Sequence, residues 1–240
     1  MAGLRLPLKN PAEMTLRRLL PLVAVVLLAA GCGSNSKDSG PTTTATVPVI
    51  PKMAVTVFRI DGGLLRPTVE HVARTSAVAR AALDALGVPE DVTIAGGTAT
   101  VDLAKATNDQ VAQIVYTLTQ FASVQKVDVA GRTGLTRDDF PGYVTPIFVE
   151  SPAAGAEVPQ TFHVLGTASV FEATLVVQVV RDGKVLSKQT VTASEGAPGR
   201  GTFDTTVTAS PGAATVQAFA PSAADGSPQH EIDVAVTVKQ

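Results

Sequence analysis

The sequence has no tryptophan, a single cysteine and few aromatic side chains, namely 2 tyrosines and 8 phenylalanines. A lone cysteine cannot form an internal disulfide bond. With so few aromatics, the core must consist of Val, Leu, Ile and Ala. Valine-rich segments favour β-strands, because branched side chains pack well on a pleated sheet. We therefore expect a strand-rich protein held together by aliphatic packing.

A concentration of positive charge is missing as well. The chain has 19 Lys and Arg residues against 21 Asp and Glu residues, for a formal net charge of −2, and its basic residues are scattered. Proteins that bind nucleic acid need a basic patch or stripe to contact the phosphates. We therefore expect no nucleic-acid partner.

The main apolar run, residues 19–30, is shorter than the about 20 residues that a membrane-spanning helix needs. Arg17 and Arg18 precede it, and small residues followed by Cys32 end it. Positive residues, an apolar run and a small-residue cleavage site are typical of a secretory signal peptide. The sequence thus predicts a signal peptide over residues 1–31, with the start at Met1 or at Met14.

The end of this segment, Leu28-Ala29-Ala30-Gly31-Cys32, resembles a bacterial lipobox. The resemblance implies that the Cys32 thiol carries a fatty acyl group such as palmitate and that Cys32 becomes the new N-terminus. The membrane is then a partner through this lipid anchor, and the expected location is the outer face of the cell membrane. Plain cleavage, or retention of an unmodified cysteine, is the alternative.

Composition divides the rest of the chain. Residues 32–52 hold few apolar side chains and many Gly, Ser, Thr and Pro, which predicts a disordered tether. Residues 53–131 mix helical and strand patterns, and the economical arrangement is an α+β domain with two helices on a mostly antiparallel sheet. Residues 132–145, interrupted by glycine and proline, are the predicted linker. Residues 146–240 show strand patterns alone.

The first domain contains one hairpin signal and one strong helix signal. Asp61-Gly62-Gly63 follows the strand pattern of residues 54–60 and favours a hairpin. Residues 64–73 fit a returning strand or the start of a helix, and their alternation favours the strand. Thr107 to Gln110 has the form of a capping box, and it predicts a helix over residues 108–121. Apolar residues follow it at helical spacing, namely Val111, Ile114, Val115, Leu118 and Phe121. Gln113 and Gln120 are predicted to lie away from the packed face.

Three stretches of this domain, residues 99–103, 111–121 and 124–131, resemble the GerMN domain, first recognised in spore-germination proteins. The resemblance implies an α+β fold and a link to sporulation or germination.

Residues 146–240 predict a β-sandwich. Seven runs carry strand patterns, and Asp182-Gly183 marks a hairpin between two of them. The runs are residues 147–150, 161–169, 173–181, 184–193, 202–208, 213–220 and 230–238. Four motifs in order, at residues 150–155, 166–173, 201–203 and 222–227, resemble the immunoglobulin-like domain of bacterial spore germination, a common partner of GerMN. This resemblance implies an all-β immunoglobulin-like sandwich.

Signatures of catalysis are missing from the sequence. It has no Gly-x-Ser-x-Gly motif, and its glycine-rich segment 196–201 lacks the lysine and serine that end a phosphate-binding loop. The three histidines are far apart, and Asp138 with Asp139 fits a solvated turn better than a metal site. We therefore expect no catalytic residues, no metal and no cofactor.

Phe171 and Glu172 are the candidate binding residues. Glu172 supplies either a polar binding contact or a carboxylate that accepts backbone N–H bonds at a sheet corner.

Together these features predict a non-catalytic, lipid-anchored binding or scaffold protein of the cell envelope. The expected partners are envelope proteins or peptidoglycan, and the expected process is sporulation, germination or cell-wall assembly. The alternative is an enzyme that modifies peptidoglycan or another wall glycan. Glycoside hydrolysis would require two carboxylates about 5–9.5 Å apart in one cleft.

Overall fold

The computed structural model describes residues 50–240, a mostly β structure with two α-helices. The predicted signal peptide, Cys32 and most of the predicted tether lie outside these residues. Within the described range, no helix is long and apolar enough to cross a membrane.

The region before residue 136 contains both helices. Its elements are β1 (Lys52–Asp61), β2 (Leu64–Ala73), α1 (Val78–Leu86), β3 (Val92–Ala95), β4 (Thr98–Val101), α2 (Asn108–Leu118), β5 (Lys126–Val129) and β6 (Arg132–Leu135). Strands β1 and β2 form an antiparallel hairpin, which confirms the strand for residues 64–73. The turn uses Gly62 and Gly63, at φ values of 58° and 81° that glycine adopts without strain.

The expectation of one sheet in this region is wrong, although the strands pair mostly antiparallel as predicted. Strands β1 and β2 form their own sheet, and the other four form a second one in the order β3-β4-β5-β6. In that sheet β4 and β5 are parallel, because α2 connects them as a crossover. The sequence pattern indicates where strands lie, but it does not indicate which strands pair.

Helix α2 begins as predicted. Thr107 Oγ1 accepts a hydrogen bond from the Gln110 N–H at 3.2 Å, and Gln110 Oε1 accepts one from the Thr107 N–H at 3.0 Å, which confirms the capping box. The helix ends at Leu118, three residues before the predicted end. Its apolar face is fully buried, with zero exposure at Val111, Ile114, Val115 and Leu118.

A polar face of α2 covers the free edge of β1. Since β2 bonds only one edge of β1, the backbone groups of the other edge need partners elsewhere. Thr117 Oγ1 accepts a hydrogen bond from the Phe58 N–H at 3.0 Å. Among residues 50–240, Thr117 is the one polar residue that is fully buried. Its hydroxyl thus supplies a backbone partner inside the core.

Two glutamines have the same role, Gln113 of α2 and Gln120, which lies two residues after the helix ends. Gln113 Oε1 accepts from the Ile60 N–H at 3.1 Å, and Gln120 Nε2 donates to the Thr56 carbonyl at 2.8 Å. The prediction that both side chains lie away from the packed face is therefore wrong. Periodicity separates apolar from polar positions, but it does not show that a polar position faces a sheet edge.

The predicted linker has regular structure. It contains β6, which pairs with β5, and two 3-10 turns at Arg137–Asp139 and Pro141–Tyr143. Phe140 and Val144 are buried and belong to the first hydrophobic core. Strand β6 has only four residues and none of them is buried, so it leaves no alternating pattern in the sequence.

The remaining strands form a sandwich. They are β7 (Ile147–Ser151), β8 (Ala156–Val158), β9 (Thr161–Ala168), β10 (Thr174–Arg181), β11 (Lys184–Thr192), β12 (Gly201–Thr208), β13 (Gly212–Pro221) and β14 (Pro228–Val238). One sheet has the order β11-β10-β13-β14-β8 and the other β12-β9-β7. All seven predicted strands are confirmed. The unpredicted β8 has three residues and pairs in parallel with β14.

Two hydrophobic cores result, and β7 contributes to both. Ile147 and Val149 face the sandwich core, whereas Phe148 enters the first core. The β2 region and the sandwich also share backbone hydrogen bonds, from the Val69 N–H to the Ala154 carbonyl at 3.0 Å and from the Ala154 N–H to the Pro67 carbonyl at 2.9 Å. The two predicted domains therefore contact each other, and Phe148 of the second is buried in the core of the first.

We predict that Thr117→Val destabilises the protein by about 1–3 kcal/mol, because a nearly isosteric side chain leaves the buried Phe58 N–H without an acceptor. Urea unfolding measures the effect. The matched control is Thr206→Val on β12, an exposed threonine whose replacement should change stability by less than about 0.5 kcal/mol. Equal effects of the two substitutions would contradict this role of Thr117.

We also predict that Ile114→Ala costs about 2–5 kcal/mol, the usual range for truncating a large, fully buried side chain. Ile94→Ala on β3 is the control, because Ile94 is 38% exposed and loses less apolar burial. Thermal or urea unfolding of both variants tests the buried face assigned to α2. That assignment fails if the two truncations cost the same.

Candidate functional site

A cleft of about 460 Å³ opens where α2, the segment 137–144 and the sandwich meet. This volume suits a small molecule or the end of a chain. Its polar and charged lining includes Tyr116, Arg137, Asp138, Glu150 and Arg200. Arg137 and Glu150 have side chains only 24% and 16% exposed. A larger groove between β2 and β14 is also lined by charges, but its Arg59 is 40% exposed. The cleft is therefore the better candidate site.

Arg137 occupies the floor of the cleft and contacts both parts of the chain. Its guanidinium forms an ion pair with Glu150 of β7, and its Nε donates to Thr119 Oγ1 at 2.8 Å. It also lies over two aromatic rings, 4.9 Å from the centre of Tyr116 and 5.4 Å from that of Phe58. Cation–π contacts of this kind stabilise a partly desolvated arginine. Glu150 compensates the charge, so Arg137 is a fixed structural cation.

The turn that carries Arg137 has its own anchor. Asp139 Oδ2 accepts hydrogen bonds from the Thr136 N–H at 2.7 Å and from the Thr136 hydroxyl at 3.1 Å. These bonds close the 3-10 turn, as a capping box closes the first turn of a helix. Asp138, which directly precedes Asp139 in this turn, is exposed at the rim of the cleft.

Tyr116 forms one wall of the cleft and is only 5% exposed. Its ring contacts those of Phe58 and Phe148, with centroid distances of 5.8 and 5.9 Å. None of the hydrogen bonds among residues 50–240 uses its hydroxyl. Burial raises the pKa of Tyr116 above its ordinary value, and the positive charges of Arg137 and Arg200 oppose that shift only in part. At neutral pH the cleft therefore presents a protonated hydroxyl.

Arg200 lies on the opposite wall, directly before β12. It donates from Nη1 to Thr167 Oγ1 at 3.1 Å and from Nη2 to the Thr145 carbonyl at 2.9 Å. Both acceptors are uncharged, and none of the ion pairs found within residues 50–240 includes Arg200. Burial lowers the pKa of Arg200 from its ordinary value, against smaller opposing effects of Tyr116 and Glu150. This cation thus differs from Arg137 in having no bonded counter-charge.

The two candidate binding residues from the sequence lie on a neighbouring turn. Phe171 is 73% exposed, and Glu172 and Ala173 have φ values of 53° and 55°. The Glu172 carboxylate accepts no N–H from the described residues, so the sheet-corner interpretation has no support; instead its backbone carbonyl accepts from the Thr174 hydroxyl at 3.1 Å. Neither Phe171 nor Glu172 lines the cleft.

This turn nevertheless adjoins the cleft through the loop before β12. A Cβ added at Gly196 would lie 2.8 Å from the Ala173 nitrogen, so only glycine allows this close approach. The same loop continues to Pro198 and Arg200, which line the cleft.

Sequence reasoning missed the residues that form the cleft. The sequence predicts a buried helix at Tyr116, a linker at Arg137, a strand at Glu150 and a glycine-rich loop at Arg200. These four segments meet only in the folded chain, and no motif connects them. Among residues 50–240, no three His, Cys, Asp or Glu side chains lie close enough together to hold a metal ion.

Two family models match the chain. Residues 34–130 match the family described as sporulation and spore germination, and residues 146–227 match the immunoglobulin-like domain of bacterial spore germination. The chain contains both domains. Both resemblances proposed from the sequence are thereby confirmed, and they link the protein to spore germination. No curated protein matches the chain.

The two matches place the cleft at the junction of the germination domains. Tyr116 belongs to the first domain, whereas Glu150 and Arg200 belong to the immunoglobulin-like domain. Arg137 lies in the short segment between the matched ranges. The cleft therefore depends on both domains being present in one chain.

We predict that Tyr116 ionises above the ordinary tyrosine pKa of about 10. Tyr143→Phe leaves Tyr116 as the only tyrosine, so ultraviolet absorbance reports its ionisation directly. Because the folded pKa is the higher one, stability from the neutral phenol is complete below about pH 10 and is lost as pH rises through the folded pKa. The same variant in denaturant is the control. Equal tyrosine pKa values in the folded and the unfolded protein would contradict the burial of Tyr116.

Proposed function

We propose that the protein is a non-catalytic, lipid-anchored binding protein of the cell envelope, attached through Cys32 to the outer face of the membrane. The cleft between the two germination domains is its proposed binding site. The observation that carries this proposal is the pairing of a fixed cation, Arg137, with an uncompensated one, Arg200, around the Tyr116 hydroxyl. Such a set of groups holds a polar ligand.

The state of Glu150 supports binding over catalysis. A general acid or base must be free to exchange a proton with its substrate. Glu150 instead pairs with Arg137, which also bonds Thr119 and contacts two aromatic rings. This carboxylate therefore stabilises the junction of the domains. Envelope proteins and peptidoglycan are the proposed partners.

We predict that Cys32→Ser releases the protein from the membrane or leaves an unprocessed precursor, because serine offers no thiol for acylation. Cell fractionation followed by mass spectrometry of the N-terminus provides the measurement. Ser34→Ala is the matched control and should remain membrane-bound. Membrane-bound mature protein with an unmodified Cys32 would refute the anchor.

Two experiments test the non-catalytic role. Full-length protein should cosediment with purified peptidoglycan, or crosslink to envelope proteins in cells. In neither case should it release soluble wall fragments. Fragment release by the original protein but not by Glu150→Gln would favour the cell-wall enzyme, since Glu150 and Asp138 line one cleft.

A further inference from the structure

Arg200 has donors that the fold does not use. A guanidinium carries five N–H donors, and within residues 50–240 only two hydrogen bonds use those of Arg200, one to Thr167 and one to the Thr145 carbonyl. Both acceptors are neutral, so this half-buried cation has no bonded counter-charge, and a charge taken out of water is costly without a partner. Arg200 therefore offers a place for an anion in the cleft.

The Tyr116 hydroxyl provides a second donor. Tyr116 as a residue is 95% buried, and its hydroxyl has no hydrogen-bond partner among residues 50–240. Within that range no enclosed side-chain oxygen or nitrogen lacks a partner, so this hydroxyl is open to solvent in the cavity that it shares with Arg200. The ring cannot move away, because Phe58 and Phe148 pack against it.

The other charges of the cleft disfavour an anion with two negative charges. Glu150 pairs with Arg137, and Asp138 adds a second carboxylate at the exposed rim, so the two arginines and the two carboxylates of the lining balance. Arg200 is the arginine of the cleft without a bonded carboxylate, and its single positive charge suits a carboxylate better than a doubly charged phosphate. Pro141, Val144 and Pro198 provide apolar walls beside these donors. An apolar group next to the carboxylate would contact them.

We propose that the cleft binds a terminal carboxylate with an adjoining small apolar group, as at the end of a peptide, through the guanidinium of Arg200 and the hydroxyl of Tyr116. This inference rests on the proposed binding function and specifies the ligand. A wall stem peptide and a protein C-terminus share this chemistry, and they differ in the configuration of the terminal residues.

Binding can be followed by the fluorescence of Tyr116, because the chain has no tryptophan and Tyr143→Phe removes the other tyrosine. The full-length Tyr143→Phe protein is titrated with N-acetyl-D-Ala-D-Ala, N-acetyl-L-Ala-L-Ala and the C-terminal amide of each. At least one acid should bind, and its amide should bind about 10- to 100-fold more weakly, the usual effect of losing a hydrogen bond to a charged group. Preference for the D-Ala-D-Ala ligand would identify a wall stem peptide as the source, and preference for the L-Ala-L-Ala ligand would identify a protein C-terminus.

Arg200→Gln should weaken binding of the acid by about 10- to 100-fold and leave the weak binding of the amide unchanged. Arg181→Gln is the matched control, since Arg181 likewise bonds only neutral oxygens but lies outside the cleft. It should bind as the parent does. If Arg200→Gln fails to fold, Arg200→Lys replaces it, and loss of the planar fork should still weaken binding.

Equal affinities for acid and amide, no binding of either acid, or unchanged binding by a folded Arg200 variant would overturn the carboxylate assignment. Cosedimentation with peptidoglycan or envelope crosslinking would persist in that case if the proposed function holds. Release of wall fragments would instead overturn the proposed function itself. The two failures are therefore distinguishable.

Discussion

The free edge of β1 is the constraint on which much of the structure depends. Backbone groups buried at a sheet edge need partners, and here two side chains of α2 and one just after it supply them instead of another strand. Gln113, Thr117 and Gln120 recur at helical spacing. Their bonds to β1 therefore fix the rotation of the helix about its own axis and its position along the strand. The apolar side chains of α2 then fill the core beside these three polar side chains.

The position of the cleft follows from that rotation. Tyr116 precedes Thr117, so the hydrogen bond that the Phe58 N–H donates to Thr117 also places the Tyr116 ring beside Phe58 and Phe148. Arg137 lies over the Tyr116 ring and meets Glu150 from the sandwich. Packing at the sheet edge is thereby connected, through two aromatic contacts and one ion pair, to the groups that line the cleft.

The junction of the domains combines apolar and ionic contacts with different roles. Phe148 buries its ring in the first core from a strand of the sandwich, and this burial supplies non-directional stability. The pair of Arg137 and Glu150 is directional and partly desolvated, so its net stabilisation is modest while its geometry is restrictive. Together they orient the two germination domains around the cleft, and Arg200 faces it from the far wall.

Local chemistry in the sequence is enough to predict most elements of this protein, but not the short strands β6 and β8 or the two 3-10 turns of segment 137–143. The capping box at Thr107 and the glycine turn at Gly62 act within a few residues, and alternation in the sandwich strands follows from one face being buried. The motifs of both germination domains are also contiguous, so resemblance was visible without a structure. Tertiary structure decided the rest. The parallel pairing of β4 with β5, the role of Gln113 and Gln120 at a sheet edge, and the meeting of Tyr116, Arg137, Glu150 and Arg200 depend on contacts between segments distant in sequence, and no local pattern encodes such contacts.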